Sequence, residues 1–105
     1  MAVEMPDRVR VAGLVYRVEV VSRGEESGLS SGFACVDHGR LRIACDQDVQ
    51  PQRRRLSVIH ELLHVLEHRA GCDLGESMVC MLACLLFAVL RDNPGLVAWL
   101  QDEEG

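Results

Sequence analysis

The chain has no lysine; all eleven of its basic residues are arginine. Aromatic residues are also scarce. There are four in 105 residues (Tyr16, Phe33, Phe87 and Trp99), against a net charge of −5. An acidic chain with so few rings to stack on bases is excluded from the usual nucleic-acid binders. Long apolar runs are missing as well. The longest, Met78 to Leu90, has 13 residues, against the ~20 needed to cross a bilayer, so no membrane partner is expected. Residues 1–7 carry Glu4 and Pro6 and no apolar stretch, so no export leader and a cytoplasmic location are expected. Five cysteines are an odd number, which in that compartment reads as reduced thiols rather than a disulfide framework. Cys80 and Cys84, four apart in an apolar helical pattern, read as small buried hydrophobes.

What the chain does have is apolar content, 49% of its residues in 11.7 kDa. Surface scaling gives about 17,000 Å² unfolded and about 5,900 Å² folded, enough burial for one core. A single domain over 1–105 follows, with 1–7 and 102–105 frayed. Two β-branched runs, Val9/Val11 and Val15/Val18/Val20, flank Ala12-Gly13 and predict a strand pair with a tight turn. Ser22 to Gly32 reads as an exposed loop. Phe33 to Asp37, a His38-Gly39 turn and Leu41 to Cys45 predict a second pair. The period then changes. Asp46-Gln47-Asp48 and Pro51 mark a helix start. Leu56, Ile59, Leu62, Leu63 and Leu66 recur at three and four to about Arg69, with Gly71 as the stop. A second helix runs from Glu76 to about Arg91, Asn93-Pro94 breaks it, and Leu96 to Leu100 adds a last turn or two. The class is α+β: a small antiparallel sheet of three or four strands, then two or three helices. Because Met78 to Leu90 is apolar nearly all round, that helix is expected between the sheet and the first helix, or at the face of a homodimer.

Chemistry concentrates in His60-Glu61-Leu62-Leu63-His64. Residues four apart on a helix differ by about 40° of rotation and about 6 Å of rise, so both imidazoles face one point. Two neutral imidazole nitrogens supply half of a tetrahedral zinc site. Glu61 lies one step round the helix, within reach of a water on the metal, where a general base belongs. Glu76 opens the next helix across a loop with Gly71 and Gly75. It either turns its carboxylate back to the metal or is simply a favourable first-turn acid. Two other ligand sets compete. His64-Val-Leu-Glu67-His68 satisfies the inverted HxxEH pattern, with Glu67 as base and His60 idle. A thiolate from Cys72 or Cys80 would close the site into a structural one. His38, Tyr16 and His68 are the polar candidates for stabilising an oxyanion or supporting the ligands. Arg53-Arg54-Arg55 reads as a solvated face, with contact to an acidic partner as its functional reading.

The stretch Leu56 to His64, followed by Glu76-Ser-Met-Val-Cys-Met-Leu-Ala83 and Arg91-Asp-Asn-Pro94, resembles small phage and bacterial zinc metallopeptidases of the ImmA/IrrE-type group of gluzincins. The resemblance spans about Leu14 to Leu100 in element order, and the two helices specifically. It implies a minimal zincin-like fold, with His60, His64 and Glu76 as zinc ligands and Glu61 as base. It also implies a phage or prophage origin. The edge strand Phe33-Ala34-Cys35-Val36-Asp37 would receive a protein or peptide substrate as an added strand. Many such proteins carry Asn after the Leu-Ala pair where this chain has Cys84, so any hydrogen bond of that Asn is missing. The expected function is therefore zinc-dependent peptide-bond hydrolysis. The competing expectation is a catalytically silent, zinc-containing phage module that binds a protein partner.

Overall fold

The computed structural model describes residues 3–22, 29 and 33–103. Four strands, β1 (Arg8–Val11), β2 (Leu14–Val21), β3 (Ala34–Asp37) and β4 (Arg42–Asp46), precede three helices, α1 (Pro51–Ala70), α2 (Glu76–Asp92) and α3 (Pro94–Gln101). This is the α+β order expected. Most of the expected exposed loop, Ser22 to Gly32, lies outside the described residues.

The β1–β2 turn takes the predicted form. Ala12 (φ 51°) and Gly13 (φ 86°) both adopt positive φ, as a two-residue turn matching the strand twist requires. The β3–β4 turn runs longer than His38-Gly39: Leu41 also sits at φ 52°, and the Arg40 N–H donates to Asp37 Oδ1 at 3.1 Å. The sheet order is β1-β2-β4-β3. The sheet is mostly antiparallel, as expected, with one parallel pairing that makes it mixed. β2 pairs with β4 in parallel, Val18 opposite Ile43 and Val20 opposite Cys45, while the other two pairings are antiparallel. Burial explains the arrangement. Ile43, Ala44, Cys45 and Asp46 of β4 are all buried, whereas no residue of β3 is. The hairpin therefore sets β4 inside and leaves β3 at the edge, and the long β2–β3 connection makes that crossing available. The Arg42 guanidinium donates to Glu19 Oε2 at 2.7 Å across the parallel pair.

The core lies between the sheet and α1: Val11, Tyr16, Val18, Ile43, Cys45 and Val65, with Val58 and Leu62 packed against it. Alternation on β2 and β4 sends Tyr16, Val18, Ile43 and Cys45 to one face and Val15 to the other, where it is exposed; Val20 shares the core face but is 44% exposed near the end of its strand. The amino-terminal segment is tied down from Met5, which packs on the core, and the Asp7 carbonyl accepts the Val18 N–H at 2.9 Å.

α1 begins at Pro51, and the Asp46/Asp48 start signal acts differently from expected. Gln50 is the cap residue, with no side-chain cap bond. Asp46 instead belongs to β4 and accepts the Asp48 N–H at 3.0 Å. Arg54, read as part of a solvated face, stitches this turn by donating to the carbonyls of Gln47 (3.0 Å) and Val49 (3.3 Å). The helix stops at Gly71 in the left-handed conformation (φ 70°), with the Cys72 N–H returning to Glu67 O at 3.1 Å. The inward face is rotated relative to the leucine pattern: Ser57, Glu61 and Val65 are buried, while Leu66 is exposed.

α2 packs on α1 and not between α1 and the sheet, which α1 already covers. Only Val79 and Ala83 of α2 are buried. Cys80 and Cys84 are exposed, which overturns their reading as buried hydrophobes. No single described helix is long and apolar enough to cross a membrane. α2 and α3 pass that test only together, and the chain bends by 88° between them.

Candidate metal centre

The middle of α1 and the first turn of α2 converge. His60 Nε2 lies 2.8 Å from Glu76 Oε1, His64 Nε2 lies 3.1 Å from Glu76 Oε2, and the two Nε2 atoms are 3.2 Å apart. Neutral imidazoles and a carboxylate are donors zinc takes readily, and tetrahedral bonds of ~2.0–2.1 Å place ligand atoms about 3.3 Å from one another. The residues present thus fit a small divalent cation, with shifts of a few tenths of an ångström. His60, His64 and Glu76 are the group among the described residues whose ligand atoms gather in this way.

The local sequence explains the convergence. The i, i+4 spacing on α1 stacks His60 and His64 on one face, their ring centroids 4.9 Å apart. α1 ends at Gly71, and the backbone reverses through Gly75, which adopts φ 83°. The Gly75 N–H is held by Asp73 Oδ1 at 3.0 Å. Glu76 therefore begins a helix that leans back on α1, its carboxylate facing the two imidazoles.

Glu67, the base in the inverted motif, has contacts that give it another place. Its Oε1 lies 2.6 Å from His64 Nδ1, and its Oε2 accepts the Leu74 N–H at 2.6 Å. Both hydrogen bonds hold the carboxyl below its usual range, the backbone N–H of Leu74 most strongly and His64 after it. One carboxylate thus orients a ligand imidazole and pins the loop that delivers Glu76. The sequence signal was the i, i+3 spacing of His64 and Glu67, which sets the two side chains side by side on a helix.

Glu61 is buried, only 8% exposed. It lines a cleft of about 580 Å³ with His60 and Glu76 on one side and Phe33, Ala34 and Arg53 on another. Burial pushes its carboxyl from the ordinary 4.5 up to about 7; the Glu76 carboxylate adds to this and His64 opposes it. A carboxyl so raised takes up and releases protons near neutrality. Arg53 is exposed, as a solvated face requires, and lies over the Phe33 ring, 4.9 Å from its centroid.

β3 is an outer strand of the sheet, packed beside α1. Phe33 precedes it, its carbonyl accepting the Asp46 N–H at 2.9 Å. Alternation from that bond turns the backbone groups of Cys35 and Asp37 toward β4, and those of Ala34 and Val36 toward the free edge. Ala34 also lines the cleft.

The three oxyanion candidates gather elsewhere. The Tyr16 hydroxyl lies 3.2 Å from His38 Nδ1, and the His38 ring stacks on His68 at 4.0 Å between centroids. Burial, with repulsion from His68 and His64, lowers the His38 pKa. None of the three lines the cleft, and Tyr16 is enclosed in the core. Cys80 borders the ligands, its Sγ 3.6 Å from Glu76 Oε1 and 3.9 Å from His60 Nδ1. Cys72 is exposed, and the ligand grouping includes neither thiol. Compared with known protein families, curated proteins and solved structures, the chain matches none.

Proposed function

We propose that this chain is a minimal zinc-dependent peptidase of the ImmA/IrrE type, acting in the cytoplasm on a protein or peptide. The observation that carries this reading is the meeting of two imidazole nitrogens and the two oxygens of one carboxylate, through contacts of 2.8–3.2 Å, with a buried glutamate beside them in one cleft. A purely structural zinc site has no need of Glu61, a buried acid that neither joins the ligand set nor fills the core.

His60, His64 and Glu76 would hold the metal. Zinc, when bound, supplies Lewis-acid polarisation of a carbonyl and acidifies a water toward a pKa of ~7. Glu67 keeps the His64 ring turned so that Nε2 faces the ligand cluster. An extended substrate adds to the free edge of β3, pairing with the outward N–H and C=O groups of Ala34 and Val36. That places a scissile carbonyl at the cleft. Glu61 takes the proton of the attacking water on its carboxylate and returns it to the leaving amine, so the peptide C–N bond breaks as the new C–O bond forms.

The test is metal content and hydrolysis measured on the same preparations, purified without chelator. Wild type should carry one zinc per chain, and Glu76→Ala should lose it or bind it far more weakly. Glu61→Gln should keep its zinc and lose peptide hydrolysis by roughly 10²–10⁴-fold. A Glu61→Gln protein as active as wild type would sink the mechanism, and zinc fully retained by Glu76→Ala would sink the ligand set.

A further inference from the structure

We propose that the solvent-facing side of α2 is the docking surface for a second copy of this chain, with the two α2 helices antiparallel across a two-fold axis. From Ser77 to Leu90 the helix carries no charge. Its outward side presents Met78 (41% exposed), Met81 (50%), Leu85 (58%), Leu86 (40%) and Val89 (47%), with Leu82 half-buried among them.

Three observations select a second copy as the occupant. The first is area. The chain exposes 7423 Å², whereas a folded monomer of its mass exposes about 5,900 Å². Part of that excess is the apolar side of α2, with five large side chains 40–58% exposed, and a stable interface buries ~800 Å² per partner. The second is periodicity. Met78, Leu82, Leu85 and Val89 recur at four, three and four, the seam of a helix pair. The third is self-complementarity. With the axis at the midpoint between Ala83 and Cys84, Met78 stands opposite Val89 of the second copy and Leu82 opposite Leu85. Each contact then occurs twice, as an isologous interface requires. A bilayer is a poor competitor: Ser77 to Leu90 holds no basic residue to draw the helix to anionic lipid, and the chain's net charge is −5. Val79 and Ala83 face α1 instead, so this packing leaves the metal centre in place and the proposal is independent of the zinc reading.

Sedimentation of the full chain from about 1 to 200 μM tests it. Wild type should sediment as a dimer. Met78→Glu alone and Val89→Lys alone should each weaken association roughly a hundredfold, because symmetry repeats each change at two contacts. Both positions are exposed, so circular-dichroism melts of the variants should stay within a few degrees of wild type. The mixture of the two variants should recover the dimer, one apolar contact becoming an ion pair while its symmetry mate stays apolar. Wild type monomeric throughout the range would overturn the proposal. So would variants that still dimerise, a mixture that stays monomeric, or wild type that floats with phosphatidylcholine or phosphatidylglycerol vesicles in place of self-associating.

Discussion

Glu67 carries two jobs on one side chain. Its carboxylate holds the His64 ring through Nδ1 and the loop through the Leu74 N–H. Removing such a partner typically costs 10–100-fold in metal affinity. Glu67→Ala should therefore weaken zinc binding by about that factor in a competitive chelator titration, with Glu67→Gln falling between, since an amide oxygen can replace only one of the two acceptors. Ala12 shows a different kind of strain, a non-glycine residue at φ 51° in a tight turn. The left-handed region costs an L-residue roughly 1–2 kcal/mol. Ala12→Gly should stabilise the fold by up to about 1 kcal/mol, or about 4 °C in the thermal midpoint. Gly13→Ala should move it the other way, although the added Cβ meets nothing within 4 Å, because only the backbone conformation opposes it. Both shifts can be read from calorimetric melts.

Among the elements, the parallel pairing of β2 and β4 is the feature that fixes the outer position of β3. Glu19 and Arg42 brace it. The Arg42 hydrogen bond, and its charge together with that of Arg17, hold the Glu19 carboxyl below its ordinary 4.5. A carboxyl lowered in the folded state contributes stability that is present above its unfolded pKa and lost as pH falls through the folded one. Glu19→Gln should therefore cost a modest amount at pH 7, below about 1 kcal/mol after solvent screening. The difference from wild type should shrink as pH falls below 4.5, as urea titrations at pH 7 and at descending pH below 4.5 will show. In α1 the burial of Ser57 and Glu61 in preference to Leu66 breaks the leucine pattern. Ser57 is satisfied by donating to the Arg53 carbonyl at 2.9 Å. Glu61 has no such bond among those described, and it faces the cleft, where a raised carboxyl is useful.

For the whole molecule, metal binding and folding should be linked. The ligands come from two helices, so a bound ion ties α1 to α2. At free zinc a hundredfold above the dissociation constant, the native state gains about 2.7 kcal/mol. Chelation should lower the thermal midpoint and added zinc restore it, while His60→Ala should show neither response. A peptide hydroxamate should raise the midpoint further if one metal position stays open to solvent, and leave it unmoved if a protein side chain closes the site.

The element order, the turns at Ala12-Gly13 and Gly71, and the His60/His64 pair were legible in the sequence. Each rests on local chemistry: backbone freedom at a turn, or the 3.6-residue period that aligns residues four apart. The approach of Glu76 to those histidines was legible as one of two readings, because a loop with two glycines permits the reversal without dictating it. Other features depend on contacts between residues distant in the chain, and only the tertiary structure decided them. Burial, not strand sequence alone, chose β4 over β3 for the inner position and made the sheet mixed. The sheet's claim on one face of α1 left α2 on the outside, exposing Cys80 and Cys84, which read as buried hydrophobes, and an apolar seam for which the sequence left open both the interior and a dimer face.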